Sequence, residues 1–60
     1  MSSIYNPESE TIAQIERLEL EARDVRKRIE HVNSDEDKRV LNRQLNELES
    51  QVEVLRSYLP

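Results

Sequence analysis

The sequence predicts an all-α protein, an antiparallel two-helix coiled-coil hairpin that dimerises into a four-helix bundle. The chain has no glycine and only two prolines, and 37% of its residues are charged. A sheet protein of this length would need frequent turns, which such a composition disfavours. Each half of the chain instead carries an unbroken apolar stripe with coiled-coil spacing, and the two stripes are out of phase.

An arm over residues 1–6 is predicted to precede the first helix, which we expect over residues 7–32. Asn6 is a good N-cap, and Pro7 suits the first helical position because proline has no amide hydrogen to leave unpaired. Apolar side chains then recur at alternating intervals of three and four residues, as at heptad positions a and d. The predicted seam residues of this helix are Ile15, Leu18, Ala22, Val25 and Ile29.

The chain is predicted to turn back at residues 33–34. If the first stripe continued into one long helix, its seam would run through polar residues only. Asn33 can adopt the left-handed conformation that ends a helix, and Ser34 is a good N-cap. Three acidic residues follow at 35–37, where the positive end of the helix dipole favours them. These features indicate a tight helix–helix turn.

The second helix is predicted over residues 35–59 and completes a single helical-hairpin domain over residues 1–60. Antiparallel pairing places its stripe opposite the first stripe in five apolar layers. Its seam residues are Leu41, Leu45, Leu48, Val52 and Leu55. Opposite charges four residues apart predict ion pairs along the exposed surface of each helix. These pairs are Arg17–Glu21, Glu19–Arg23, Asp24–Arg28, Arg26–Glu30, Asp35–Arg39 and Arg43–Glu47.

Dimerisation is expected because a two-helix seam leaves each of its side chains partly exposed to water, and domains this small usually need further support. Two hairpins would form a homodimeric four-helix bundle. Leu20 and Val40 point away from the seam and could widen the dimer face. In length and topology this architecture is similar to a Rop-like bundle, in which helical hairpins also dimerise. No residue motif accompanies that resemblance, so it implies no function.

A basic cluster surrounds the predicted turn. Its members are Arg23, Arg26, Lys27, Arg28, Lys38, Arg39 and Arg43. One interpretation is a phosphate contact for RNA or DNA, but five acidic residues are interleaved and no aromatic residue is present to stack on bases. We favour a solvated face. A third interpretation is that the cluster specifies the dimer by lying against the acidic end of a second hairpin.

Exposed apolar residues are expected to gather at the end of the hairpin opposite the turn. They suit either packing of the N-terminal arm over the bundle end or docking of another protein. These candidate partner-binding residues are Ile4, Tyr5, Ile12, Val54, Tyr58 and Leu59.

Catalytic and metal chemistry are not indicated. His31 is the only histidine and the chain has no cysteine, so a zinc site has no second nitrogen or sulfur ligand. The "SDED" run at residues 34–37 lacks the glycine and the ligand spacing of a calcium loop, and it is better interpreted as a capped helix start. We therefore expect no enzymatic activity, no metal and no cofactor.

The function expected from these features is that of a non-enzymatic protein–protein interaction module, a small regulatory adaptor or inhibitor that binds another protein. The alternative is a small nucleic-acid-binding regulator that uses the basic cluster. No apolar run is long enough to span a membrane, and the N-terminus lacks the pattern of a signal peptide. A cytoplasmic location is therefore expected.

Overall fold

The computed structural model describes residues 7–60, which form two α-helices and no strand. The first helix, α1, spans Pro7–His31, and the second, α2, spans Asp35–Ser57. The helices run antiparallel and pack against each other. The prediction of an all-α helical hairpin is therefore confirmed.

The core of the hairpin is a single seam between the helices. Its buried side chains are Ile15, Ala22, Val25, Leu48 and Val52, each 3–7% exposed. The other five residues predicted for the seam are half-buried. No polar or charged side chain is buried within residues 7–60. The core is thus wholly apolar and only one residue layer deep.

Ser34 begins α2 as its N-cap, as predicted. Its backbone is extended, with φ −86° and ψ 129°, and its Oγ accepts a hydrogen bond from the Asp37 amide at 3.3 Å. The Lys38 amide donates to the Ser34 carbonyl at 3.0 Å. The Ser34 side chain therefore satisfies the Asp37 amide, which would otherwise lack a partner within the helix, and the Ser34 carbonyl accepts the first regular hydrogen bond of α2.

The turn differs from its prediction in two respects. α1 ends at His31 and not at residue 32, so three residues connect the helices and not two. Asn33 does not adopt the left-handed conformation, since no residue of the described chain has a positive φ. The longer connection gives the chain an additional residue over which to reverse direction, so no left-handed residue is needed.

The C-terminal end of α2 also differs. The helix ends at Ser57 and not at residue 59. The amide of Tyr58 donates to the Leu55 carbonyl at 3.1 Å, and that of Leu59 donates to the Arg56 carbonyl at 3.1 Å. Hydrogen bonds that reach back three residues tighten the last turn, a common way to satisfy the final carbonyls of a helix.

Candidate interaction surface

One broad face of the hairpin carries two ion pairs that join the helices. Arg26 Nη2 donates to Glu49 Oε2 at 2.7 Å, and Arg56 forms the equivalent pair with Glu19. All four side chains are about half exposed. Pairs of this kind contribute about 0.2–1 kcal/mol each, so they help to set the alignment of the helices more than the stability. We call this side the ion-paired face.

The alignment of these pairs follows from a repeat in each helix. Glu19 and Arg26 are one heptad apart in α1, and Glu49 and Arg56 are one heptad apart in α2. Each helix therefore presents an acid followed seven residues later by an arginine. When such helices run antiparallel, each acid meets an arginine, as flanking charges do in coiled coils.

The seam residues beneath the ion-paired face are buried. Between the charged side chains lies a recess lined by Ala22 and Val52, both of which are buried, together with Arg23 and Glu53. Polar side chains therefore dominate the solvent-accessible surface here. This face offers a partner little apolar area.

The six ion pairs predicted within single helices are not found among the ion pairs of residues 7–60. Glu19 and Arg26, predicted to pair with residues of their own helix, instead reach across to α2. Sequence analysis missed these interhelical pairs. The available signal was the seven-residue repeat of acid and arginine in both halves of the chain.

The opposite broad face holds two shallow grooves. The groove near the turn is lined by Lys27, Arg28, His31, Val32, Asp37, Val40 and Leu41. The groove near the terminal end is lined by Gln14, Arg17, Leu18, Ser50, Gln51, Val54, Leu55 and Tyr58.

These two grooves lie on the same side of the hairpin because their linings repeat at intervals of two heptads. Gln14 and Arg28 occupy equivalent positions in α1, and Val40 and Val54 occupy equivalent positions in α2. Two heptads correspond to about four helical turns, so such residues project in nearly the same direction. We call this side the groove face and define it by the residues that line both grooves.

Apolar side chains make the groove face different from the ion-paired face. Val40 is 61% exposed, Val54 is 54% exposed and Tyr58 is 71% exposed. Beneath the last two lie Leu18 and Leu55, which are only half-buried. No ion pair of residues 7–60 bridges the helices on this side. The seam is therefore accessible from the groove face.

The predicted docking residues are only partly brought together. Val54 and Tyr58 share one groove. Ile12 is 46% exposed but lies one heptad before Glu19, which places it on the ion-paired face. Leu59 is half-buried beyond the end of α2 and does not line the groove. The remaining two predicted residues, Ile4 and Tyr5, lie outside the described part of the chain.

The two apolar residues that were expected to widen a dimer face lie on different sides. Val40 lines a groove of the groove face. Leu20, with the same 61% exposure, lies among Glu16, Glu19 and Arg23, toward the ion-paired face. The structure thus offers two equally exposed aliphatic residues in contrasting surroundings.

The basic cluster is not a single surface. Arg26 is paired with Glu49, and Arg23 lies in the recess beside it. Lys27 and Arg28 line the turn-end groove on the opposite face. The other three residues are exposed on α2, and among them Arg43 lines a shallow hollow with Asn46, Glu47, Ser50 and Gln51. Contact with consecutive phosphates of a nucleic acid would require these cations to lie on the same side of the hairpin.

The residues considered for metal or catalytic chemistry are placed separately. His31 is exposed in the last turn of α1 and lines the turn-end groove. Ser34 and the acids that follow it form the first turn of α2. Residues 7–60 contain no group of three or more histidine, cysteine or carboxylate side chains that could hold a metal ion.

Neither helix of the described chain is long and apolar enough to cross a membrane. No protein-family model matches the sequence, and no curated protein and no solved structure matches it.

Proposed function

We propose that this chain is a non-enzymatic protein–protein interaction module, a small helical-hairpin adaptor or inhibitor that binds another protein chain through its groove face. One observation carries the proposal. On that face Val40, Val54 and Tyr58 are exposed beside half-buried leucines of the seam. Grooves with apolar floors and polar rims are typical receptors for an amphipathic helix.

A second copy of the chain is a candidate occupant of the groove face. Only five hydrophobic side chains of the described residues are buried, and all of them lie in one seam. Domains of this size usually require oligomerisation or another support, because a single small core contributes little net stability. A second hairpin on the groove face would cover the half-buried leucines and complete a four-helix bundle.

A non-enzymatic role is supported by the exposure of the ionisable groups. Catalytic acids and bases are usually tuned by burial or by crowding with other charges. Every charged side chain in residues 7–60 is exposed. The groove face is therefore better suited to binding a surface than to activating a substrate.

The proposal is tested by affinity capture from an extract of the source cells. The bait is the full chain, compared with a Val54→Asp/Tyr58→Asp variant and with Leu20→Asp as a control on the other side. Proteins that bind the parent and the control, but not the double variant, support the proposal. Equal capture by all three baits would contradict it.

Capture that nuclease abolishes, or RNA binding that falls steeply with salt, would favour a nucleic-acid regulator instead.

A further inference from the structure

We infer that the groove face is a homodimer interface in which α2 packs antiparallel against α2 of a second copy, with the two turns at opposite ends. The inference rests on the proposed function, since it names the chain that occupies the groove face. Two features support it: exposed apolar residues on one side of α2, and the separation of charge along the hairpin.

The second seam of α2 runs beside the one that faces α1. Its members follow one another at alternating intervals of three and four residues, and all of them are exposed. Three of its seven members are apolar and four are polar, so it offers a second helix both apolar contact and hydrogen-bonding groups. The residues are Asp37, Val40, Gln44, Glu47, Gln51, Val54 and Tyr58.

Antiparallel packing makes this seam complementary to itself. In one register Val40 faces Tyr58 of the second copy, Gln44 faces Val54, and Glu47 faces Gln51. Each pair occurs twice, because in a two-fold interface residue i meets j and j meets i. Val40 and Tyr58 then cover one another, and the Glu47 carboxylates lie opposite Gln51 amide groups that can donate hydrogen bonds to them.

The alternative dimer, with both turns at the same end, is disfavoured on two grounds. It would place the apolar residues of α2 against α1, whose side of the groove face carries mostly charged side chains. It would also place the ends of like charge in the two hairpins side by side. Residues 22–43, at the turn end, hold seven basic and five acidic side chains, whereas the remaining residues hold two basic and eight acidic ones. Opposite orientation sets the positive half against the negative half.

The interface is tested first by sedimentation of the full chain between about 1 and 200 μM. The parent should sediment at twice its 7.1 kDa mass. Val40→Asp should raise the dimer dissociation constant by at least tenfold, because the change enters the interface twice. Leu20→Asp is the matched control, since Leu20 and Val40 are both 61% exposed in the single hairpin, and it should leave the constant within about threefold. Circular dichroism checks that each variant remains helical.

The orientation is tested by disulfide cross-linking. The chain has no cysteine of its own, so only the introduced cysteines can form a disulfide. An equimolar mixture of Gln44→Cys and Val54→Cys chains should form a mixed disulfide dimer. Neither variant alone should do so, because two copies of either residue would lie about 15 Å apart along antiparallel helices, beyond disulfide reach. Efficient self-cross-linking of either variant, or no mixed product, would overturn the orientation.

The two proposals fail in distinguishable ways. A parent chain that stays monomeric across the whole concentration range overturns the homodimer, as does equal weakening of the dimer by Val40→Asp and Leu20→Asp. If a monomeric parent chain still captures a protein that the Val54→Asp/Tyr58→Asp variant does not capture, the interaction module stands, and the occupant of the groove face is a different protein. If replacing these residues changes neither self-association nor capture, both proposals fail.

Discussion

Arg26 of α1 donates a hydrogen bond to Glu49 of α2 at 2.7 Å, across 23 residues of sequence. Together with the equivalent pair of Arg56 and Glu19, it aligns the antiparallel helices on one face and leaves the other face without an interhelical ion pair within residues 7–60. This difference between the faces is the basis of the proposed interface. Each of the following predictions tests one part of the arrangement.

Reversing one charge of the Arg26–Glu49 pair should weaken the hairpin, and reversing both should restore most of the loss. Arg26→Glu is expected to lower the free energy of unfolding by about 0.5–1 kcal/mol, because the pair is half exposed. The double variant Arg26→Glu/Glu49→Arg should recover it. Urea unfolding at low and high salt measures the effect, which salt should reduce. Arg43→Glu, at an exposed arginine outside both ion pairs and both grooves, serves as the control. A double variant no more stable than Arg26→Glu would contradict the pairing.

Truncating a seam leucine should cost far more than truncating an exposed one. Leu48 is 7% exposed and Leu20 is 61% exposed, so the same Leu→Ala change can be compared at both sites. We expect Leu48→Ala to lower the free energy of unfolding by about 2–5 kcal/mol and Leu20→Ala by less than about 0.5 kcal/mol. Thermal and urea unfolding provide the comparison. Similar losses at the two sites would show that the seam does not form the core.

Removing the cap of α2 should destabilise the hairpin. Ser34→Ala deletes the Oγ that accepts from the Asp37 amide, and the expected cost is about 1 kcal/mol. Ser34→Gly should cost only a few tenths of a kcal/mol, because glycine is a tolerable N-cap. Asn46→Ala, an exposed change in the middle of α2 outside both grooves, controls for helix propensity and should be neutral or slightly stabilising. A neutral Ser34→Ala would show that the cap contributes nothing.

A distance measurement should report the antiparallel pairing directly. Arg23 and Glu53 line the same recess, so spin labels at these two positions should lie within about 20 Å of each other. In one continuous helix the same positions would be about 45 Å apart. Pulsed electron resonance with dilution by unlabelled chain isolates the distance within one molecule. A distribution centred near the longer value would contradict the hairpin.

The helices, their seam and the position of the turn were predictable from local patterns. The two apolar stripes and the break in phase between them indicated two antiparallel helices, and every predicted seam residue is buried or half-buried. Ser34 was predictable as a cap because its side chain acts on an amide only two or three residues away. The predicted C-terminal ends of the helices differ from the observed ones by one or two residues, since the hydrogen bonds of a final turn can reach back either three or four residues.

The sequence by itself determined which side chains form the seam, because a heptad repeat dictates which residues share one side of a helix. It did not determine which flank of that seam would carry charge across the helices. Glu19 and Arg26 have suitable partners both within α1 and on α2, and only antiparallel packing with a particular alignment brings Arg56 and Glu49 within reach. Tertiary structure therefore decided that one face is ion-paired and the other is open. The physical reason is that interhelical contacts depend on the relative position of two helices, which periodicity within either helix does not specify.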